Sequence, residues 1–429
     1  MVELVEQEAR VFENALLIGI YTKSNEKDAC VDSLEELVGL TTTYGLEVID
    51  QVPCYIRKFS PATLLGKGKL QELSGLIQEY GVDLVIFDDE ITPHQQRNLE
   101  KEFKKPVMDR TELIIEVFAQ RAQTKEASLQ IELAKVRYQL PRLKRLWTHL
   151  SRQSAGGGGF LKGEGEKQIE LDRRMLQHRV TRLQKEIAEV RAKRAVQRSS
   201  RLRTQIPTFA IVGYTNAGKS TLMRALTKAE VLVEDKLFAT LDTTTRKYIL
   251  PNKQTILLID TVGFIRKIPT TLISAFKSTL EEAVFTDILI HLIDASSRHA
   301  IEQAEATLQV LEELGAKGRP CITALNKIDQ CTDQGMLRKL RIKYPKTVAI
   351  SAIEGRGFDQ LVELMLKEVA ALRKVVKLRI PQSHYALVSE LMNSGRVIEI
   401  EYEANDVLME VEIPAQLENK VQMFVQEVL

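Results

Sequence analysis

Eight residues, Gly213-Tyr214-Thr215-Asn216-Ala217-Gly218-Lys219-Ser220, constrain this chain more than any other stretch, because they match GxxxxGK[ST] without a mismatch. The pattern needs a strand ahead of it, a loop that folds around an oligophosphate, and a helix behind. Residues 208–212, TFAIV, read as a short buried strand, and 221–229, from Thr221 on, as a helix whose N-terminal dipole favours an anion. In the loop the backbone N–H groups would converge as an anion nest. Lys219 would reach the β- and γ-phosphates, and Ser220 would offer its hydroxyl to Mg²⁺. Asn216 admits two readings: bracing the loop, or lining a K⁺ site beside the phosphates.

Three more elements follow in order, each after an apolar run. Asp260-Thr261-Val262-Gly263 follows Ile256-Leu257-Leu258-Ile259, which places an acid at the mouth of a second strand, where it would hold Mg²⁺ through a water. The Gly263 amide would contact the γ-phosphate, so this loop would sense whether that phosphate is present. Asn326-Lys327-Ile328-Asp329 follows Cys321-Ile322-Thr323-Ala324-Leu325. Asp329 would accept from N1–H and the 2-amino group of guanine, a pair that adenine lacks, while Asn326 braces the phosphate loop and the Lys327 stem covers the base. Ser351-Ala352 ends the run Val348-Ala349-Ile350, where a backbone amide would donate to the guanine carbonyl. Four such elements at successive strand ends form the crevice of an open parallel sheet, and they predict a site for GTP and GDP.

The segment Phe238-Ala239-Thr240-Leu241-Asp242-Thr243-Thr244-Thr245-Arg246 is rich in threonine, and of its four threonines, which leave the choice open, Thr240 is the candidate for a second hydroxyl on Mg²⁺. Lys219, Thr240 and Gly263 thus form the expected catalytic set. Phe264 stands after DTVG, where Ras-like enzymes carry a water-orienting glutamine. A phenyl ring cannot hydrogen-bond the nucleophile, so intrinsic hydrolysis should be slow and depend on a group supplied from elsewhere.

Length and composition bound the rest. A chain of 429 residues, 44% hydrophobic and 28% charged, allows two to four domains of ordinary globular composition. No apolar run approaches the roughly 20 residues that cross a bilayer, and the first residues lack the basic and apolar regions of a signal peptide, which predicts a cytoplasmic protein. Cys30, Cys54, Cys321 and Cys331 have no CxxC spacing and read as reduced structural thiols.

The formal net charge of +2 conceals a strong asymmetry. Residues 135–203 hold nineteen Lys and Arg against six Asp and Glu, so the remainder of the chain is net acidic. Apolar residues recur every three or four positions through 111–150 (Leu129, Leu133, Val136, Leu140, Leu143) and through 168–198 (Leu171, Met175, Leu183, Ile187, Val190), a pattern that fits a long antiparallel helical hairpin. Its junction, 154–165, is a glycine loop tipped by Phe160, Leu161 and Lys162. That is longer than a hairpin turn needs, and it reads as a finger or as a linker. The cations suit nucleic-acid phosphates, with Trp147 and His149 as candidates for stacking, although core packing is the commoner fate of a lone tryptophan.

Ahead of the hairpin, strands at Asn14–Tyr21, 45–51 and 82–87 alternate with helices at 33–44, 69–80 and Pro93–Phe103, which predicts a small parallel sheet with no nucleophile-base set. Behind the nucleotide domain an αββα pattern fills about the last 50 residues. The expected architecture is α/β: an N-terminal α/β module (1–110), a long basic helical hairpin (111–203), a P-loop GTPase domain (204–374) and a small C-terminal α+β domain (375–429).

Beyond the nucleotide motifs, Leu65-Gly66-Lys67-Gly68-Lys69, Val107-Met108-Asp109-Arg110-Thr111 with Phe118-Ala119-Gln120-Arg121-Ala122, and Gln168-Ile169-Glu170-Leu171-Asp172-Arg173-Arg174 after the glycine loop resemble the hallmarks of the HflX family of translation-factor-like GTPases. The resemblance covers nearly the whole chain. It implies a cytosolic GTPase, monomeric on its target, that binds the large ribosomal subunit and its rRNA, places the helical finger near the peptidyl-transferase centre and splits stalled ribosomes under stress. The chain departs from the family at Phe160, Lys162 and Glu164, where glycine, arginine and proline are usual, and at Thr243, where proline is common. Two other readings stay open: an RNA-remodelling enzyme that uses GTP, and a regulatory GTPase with a protein partner only.

Overall fold

The computed structural model describes residues 12–143, 164–203, 206–227, 238, 244–267, 285–394, 396–403, 405–414 and 418–428. They fall into two units, described here separately. The first comprises Met1–Arg191, Glu234–Asp242 and Gly263–Thr279; the second comprises Ala192–Val233, Thr243–Val262 and Leu280–Leu429.

In the first unit β1 (Asn14–Tyr21), α1 (Lys27–Tyr44), β2 (Glu47–Tyr55), α2 (Lys67–Glu79), β3 (Leu84–Phe87), α3 (Pro93–Phe103) and β4 (Val107–Asp109) alternate strictly. The strands form a parallel sheet in the order β2-β1-β3-β4. Parallel sheets are covered on both faces, and β1 and β3 accordingly read as unbroken apolar runs, with Ala15 to Ile18 and Leu84 to Phe87 all buried. Local chemistry sets the helix ends. Gly45, at φ 104°, ends α1 in the left-handed region, and Thr92 with Gln95 forms a capping box on α3 ahead of Pro93. Leu16, Ile18, Phe87, Leu73 and Leu99 share one core, where burial stabilises by about 1.5–3 kcal/mol per large side chain.

The sheet exceeds the expectation in two ways. The strand expected at 45–51 runs on to Tyr55 through Pro53, which is tolerated because β2 lies at the sheet edge, where a missing N–H breaks no ladder. Residues 107–109 add the fourth strand, too short to show a period. The helical stretch expected over 111–150 is broken as well. α4 (Arg110–Arg121) stops where Ala122 turns extended, and α5 (Lys125–Gln139) restarts at Thr124, whose Oγ1 accepts from the Ala127 amide at 3.2 Å. α6 (Glu164–Arg203) is the second arm of the hairpin. Leu129, Leu133 and Val136 of α5 pack with Leu183 and Ile187 of α6, and Arg179 pairs with Glu132 at 2.6 Å. The glycine loop, except its last two residues, lies outside the described residues, as do Trp147 and His149.

A buried ion cluster closes the C-terminal edge of this sheet. Arg110, 2% exposed, donates to Asp88 at 2.7 Å, to Glu36 and to the Arg266 carbonyl at 3.2 Å. Asp88 also accepts from Ser33 at 2.7 Å and from Lys267 at 2.5 Å. Burial alone would raise the Asp88 carboxyl, but Arg110 and Lys267 hold it below the usual carboxylate range.

The second unit holds a six-stranded sheet in the order β10-β9-β8-β5-β7-β6. β5 (Thr208–Gly213), β7 (Thr255–Asp260), β8 (Ile288–Asp294), β9 (Cys321–Asn326) and β10 (Thr347–Ala349) are parallel, and β6 (Thr244–Ile249) lies antiparallel on the edge. α7 (Lys219–Thr227), α8 (Ala300–Glu313), α9 (Gln334–Lys343) and α10 (Phe358–Ala371) accompany it. A separate antiparallel sheet, β12-β13-β11-β14, uses β11 (Arg373–Pro381), β12 (Arg396–Tyr402), β13 (Asp406–Pro414) and β14 (Val425–Val428), with α11 (Tyr385–Ser394) against it. The αββα order expected of the last 50 residues is present as α11, β12, β13 and the short helix Glu418–Val421, and a strand stands on either side of it. Ahead of it lies strand β11, whose buried Val376, Leu378 and Ile380 alternate at the two-residue period, and behind it strand β14. Among the described residues no helix is long and apolar enough to cross a membrane.

Arg110→Ala would leave Asp88 buried against Ser33 and Lys267 alone. The loss expected for breaking a buried pair is about 3–5 kcal/mol, and Asp88→Asn with Arg110→Met together should recover much of it. Urea unfolding of the single and double variants measures this; additive losses would remove the pairing as the source.

Candidate nucleotide-binding site

The phosphate loop sits between β5 and α7, and two of its glycines are required by contact. A Cβ on Gly213 would meet the Leu292 carbonyl oxygen at 2.3 Å, and one on Gly218, at φ 94°, would meet Asn326 Nδ2 at 2.3 Å. Asn216 occupies the left-handed region at φ 59°, which asparagine tolerates better than most residues. Ala217 and Tyr214 are buried, as is Thr215, whose hydroxyl has no partner among the described residues.

Lys219 is buried and donates to the carbonyls of Gly213 at 3.1 Å and Tyr214 at 2.7 Å. Burial pushes its amine down to about 8, with Asp260 opposing the shift. It is thus a cation held in a desolvated loop, where a polyphosphate would supply the counter-charge. Ser220 donates to Asp260 Oδ2 at 2.7 Å, so the helix hydroxyl and the β7 carboxylate converge on one point. Hydroxyl and carboxylate oxygens are the hard donors that suit Mg²⁺. Thr261 is turned away and donates to the Ile211 carbonyl at 2.8 Å, which ties β7 to β5. Thr221, next in α7, is half-buried.

Asn326, at the end of β9, connects two loops. Its Nδ2 donates to the Ala217 carbonyl at 2.8 Å, and its Oδ1 accepts from the Ala352 amide at 2.9 Å. The phosphate loop and the Ser351-Ala352 loop are therefore fixed through one side chain. Lys327, at φ 61°, pairs with Asp294 at 2.7 Å, which directs its stem. The Asp329 carboxyl is held below its usual range, first by a hydrogen bond from Ser351 and then by neighbouring cations, so it is an ionised acceptor at neutral pH.

Phe238 and the segment Gly263 to Lys267 are grouped with the first unit. Phe238 lies against Phe118 with ring centroids 4.4 Å apart. Val262, Gly263 and Phe264 are buried, Phe264 at 1% exposure. Ala239 and Thr240 lie outside the described residues. Sequence reasoning passed over Asp294, although the signal was present: the apolar run 288–293 ends in an acid just as the run before Asp260 does.

Against known proteins, residues 31–119 match the family model described as GTP-binding GTPase N-terminal, 121–201 that described as GTP-binding GTPase Middle Region, and 208–327 that described as 50S ribosome-binding GTPase. GTPase HflX of Chlamydia pneumoniae is 44% identical over 414 residues, covering 96% of this chain and 88% of the relative. GTPase HflX of Escherichia coli (strain K12) is 38% identical over 405 residues, covering 94% of each. Among solved structures, a GTP-binding protein from Sulfolobus solfataricus in complex with GDP aligns at 26% identity with a TM-score of 0.45, over 84% of this chain and 99% of that one.

The depressed Lys219 has a consequence for pH. Between about 8 and the free value of 10.5 the unfolded chain binds more protons there than the folded one, so folded stability gains with rising pH in that window and loses as pH falls through about 8. Phosphates favour the ammonium, so GDP binding near pH 9 should take up approaching one proton and weaken as pH rises further. Calorimetry in two buffers of different ionisation enthalpy measures the uptake; a heat that ignores the buffer would detach Lys219 from the phosphates.

Proposed function

The chain belongs to the GTPase HflX family, and from that premise we propose that this GTPase acts as a nucleotide-dependent switch that binds the large ribosomal subunit and separates stalled or idle ribosomes in the cytoplasm. The observation that carries the ribosomal reading is the hairpin. α6 buries Leu183 and Ile187 while Arg173, Arg174, Arg182, Lys185 and Lys193 stay exposed, a cationic surface suited to rRNA phosphates. The description of the family model over 208–327 points to the same partner.

At the nucleotide, Lys219 would neutralise the β- and γ-phosphates, and the loop amides from Gly213 to Ser220 would cradle them. Ser220 and Asp260, with Thr240, are the residues that would hold Mg²⁺, which when bound neutralises charge on the phosphate oxygens. K⁺ beside Asn216 is a further candidate. Asp329 selects guanine, Lys327 covers the base, and the Gly263 amide reports the γ-phosphate. Phe264 offers the attacking water no hydrogen bond, so hydrolysis waits on a group brought by the partner.

Cosedimentation with purified large subunits tests the switch. Binding should be strongest with a non-hydrolysable GTP analogue, weaker with GDP, and should fall steeply with salt. Binding that ignores the nucleotide would end the switch reading. Separately, Asp329→Asn should weaken GTP binding by about ten- to a hundredfold, the loss of roughly 1.5–3 kcal/mol for a charged hydrogen-bond partner, and should favour xanthosine nucleotides. Competition binding of the two nucleotides reads this directly, and unchanged guanine affinity would reject the role given to Asp329.

A further inference from the structure

The Gly66-Lys67-Gly68-Lys69 motif takes no part in the nucleotide site or in the hairpin, and its surroundings in the first unit are unusual. β2 ends at Tyr55, and the loop from there to α2 lies at the C-terminal edge of the parallel sheet, the edge at which such sheets bind ligands. Tyr55 is 49% exposed and Phe59 is 52% exposed, and between them Arg57 and Lys58 are exposed too. Tyr21, in register with Tyr55, holds its ring 5.6 Å away at a tilt of 49°. Arg57, Lys58 and Lys67 have no ion pair among the described residues.

The loop that presents these groups is built firmly. Ser60 and Leu64 exchange backbone hydrogen bonds at 3.0 and 2.8 Å, Thr63 Oγ1 donates to the Leu65 carbonyl at 2.8 Å, and Asn98 donates to the Ala62 carbonyl at 2.9 Å. Leu64 and Leu65 anchor it in the core. Of the two glycines that follow, Gly66 is the N-cap of α2, where glycine is favoured over alanine, and Gly68 has no conformational reason to be glycine. Gly66 lies at φ −75° and Gly68 within helix α2, neither in the left-handed region, and a Cβ on either would meet nothing within 4 Å. Gly68, in the first turn, lowers helix propensity against alanine, and what it gives in return is an uncovered backbone. No side chain caps the first amides of α2. On the same edge Asp88 and Asp89, which follow β3, are engaged by Lys267, and Glu26, which follows β1, by Thr22 and Lys23, while Glu90 is exposed.

We propose that this edge is a docking surface for single-stranded RNA, with Tyr55 and Phe59 stacking on unpaired bases and Arg57, Lys58, Lys67 and the α2 amides meeting the phosphates. Exposed aromatic rings interleaved with unpaired cations match the two faces of a single strand, flat π surfaces and a polyanionic backbone, whereas a duplex keeps its bases stacked away from such rings. The inference rests on the ribosomal reading for the source of the RNA, but not for the surface itself.

The test uses the full chain, a fluorescein-labelled twelve-residue oligouridylate and purified large subunits. Tyr55→Ala with Phe59→Ala should weaken oligouridylate binding at least tenfold, and Arg57→Glu with Lys58→Glu should lower the slope of log affinity against log salt by about one to two. GTP affinity should be unchanged in both. Ultraviolet crosslinking of the wild-type complex followed by mass spectrometry should mark Tyr55 or Phe59. Equal oligouridylate binding by both variants, or crosslinks confined to the basic hairpin, would overturn the proposal. Loss of subunit binding with oligouridylate binding intact would also overturn it, because the partner would then be an acidic protein surface. Failure of the wild-type chain to bind subunits, with the crosslink and the variant losses present, would sink the ribosomal reading and leave the RNA surface standing.

Discussion

The nucleotide site depends on a single amide side chain. Asn326 spends one hydrogen bond on the phosphate loop at Ala217 and the other on the base loop at Ala352, and Gly218 has no Cβ because that atom would sit 2.3 Å from the Asn326 nitrogen. Neither loop has regular structure to fix it. Each is positioned by the end of a parallel strand and then locked to the other through this side chain, which is itself 2% exposed. A buried amide with both ends satisfied is a stiff connector, because either bond can be broken only by leaving a polar group unpaired out of water. Distance between the phosphate and base subsites is thereby set before any nucleotide arrives.

Charge is handled in two ways in this chain, and the difference separates structure from chemistry. Around Asp88 every buried charge has its opposite: Arg110 and Lys267 offset the desolvation of the carboxylate, and Ser33 satisfies an oxygen. Around Lys219 the balance is incomplete. Two carbonyls and the field of Asp260 do not restore what burial takes, so its amine falls to about 8. A buried cation with partial compensation marks a place where a ligand completes the electrostatics. The Asp88 cluster, with Asp88 and Arg110 each 2% exposed, carries no such demand and acts as a fixed joint for the chain at Arg266 and Lys267.

Much of this was legible in the sequence because it resides in short-range patterns. The phosphate loop, the DTVG and NKID strand ends and the element order of the first sheet each follow from apolar runs that stop at a polar residue, and β1 and α3 were bounded correctly. The parts that escaped share one physical trait: their partners are distant along the chain. Val107–Asp109 is a strand only because Val85 to Phe87 pair with it, and Arg373–Pro381 is a strand because Asp406–Pro414 lies alongside. The pairing of Asp294 with Lys327 and the Ser33-Glu36-Asp88-Arg110-Lys267 cluster also join residues far apart in number, and no local spacing encodes them.

The same distinction bears on the Gly66-Lys67-Gly68-Lys69 stretch, which enters the sequence reading as a family hallmark. A glycine read from sequence announces a bend, and the economical reading is conformational need. The folded chain removes that need, since neither glycine has a left-handed φ or a close neighbour, whereas Gly213 and Gly218 have contacts that forbid any side chain. Gly68, kept inside a helix where neither φ nor a neighbour requires glycine, and the aromatics beside it, kept where solvent does not favour them, are two independent concessions at one edge of one sheet. Each is small, of the order of 1 kcal/mol. Both are relieved by the same event, contact with a partner that brings flat apolar faces and a row of anions, and a surface that relieved only one of them, apolar or acidic alone, would leave the other unexplained.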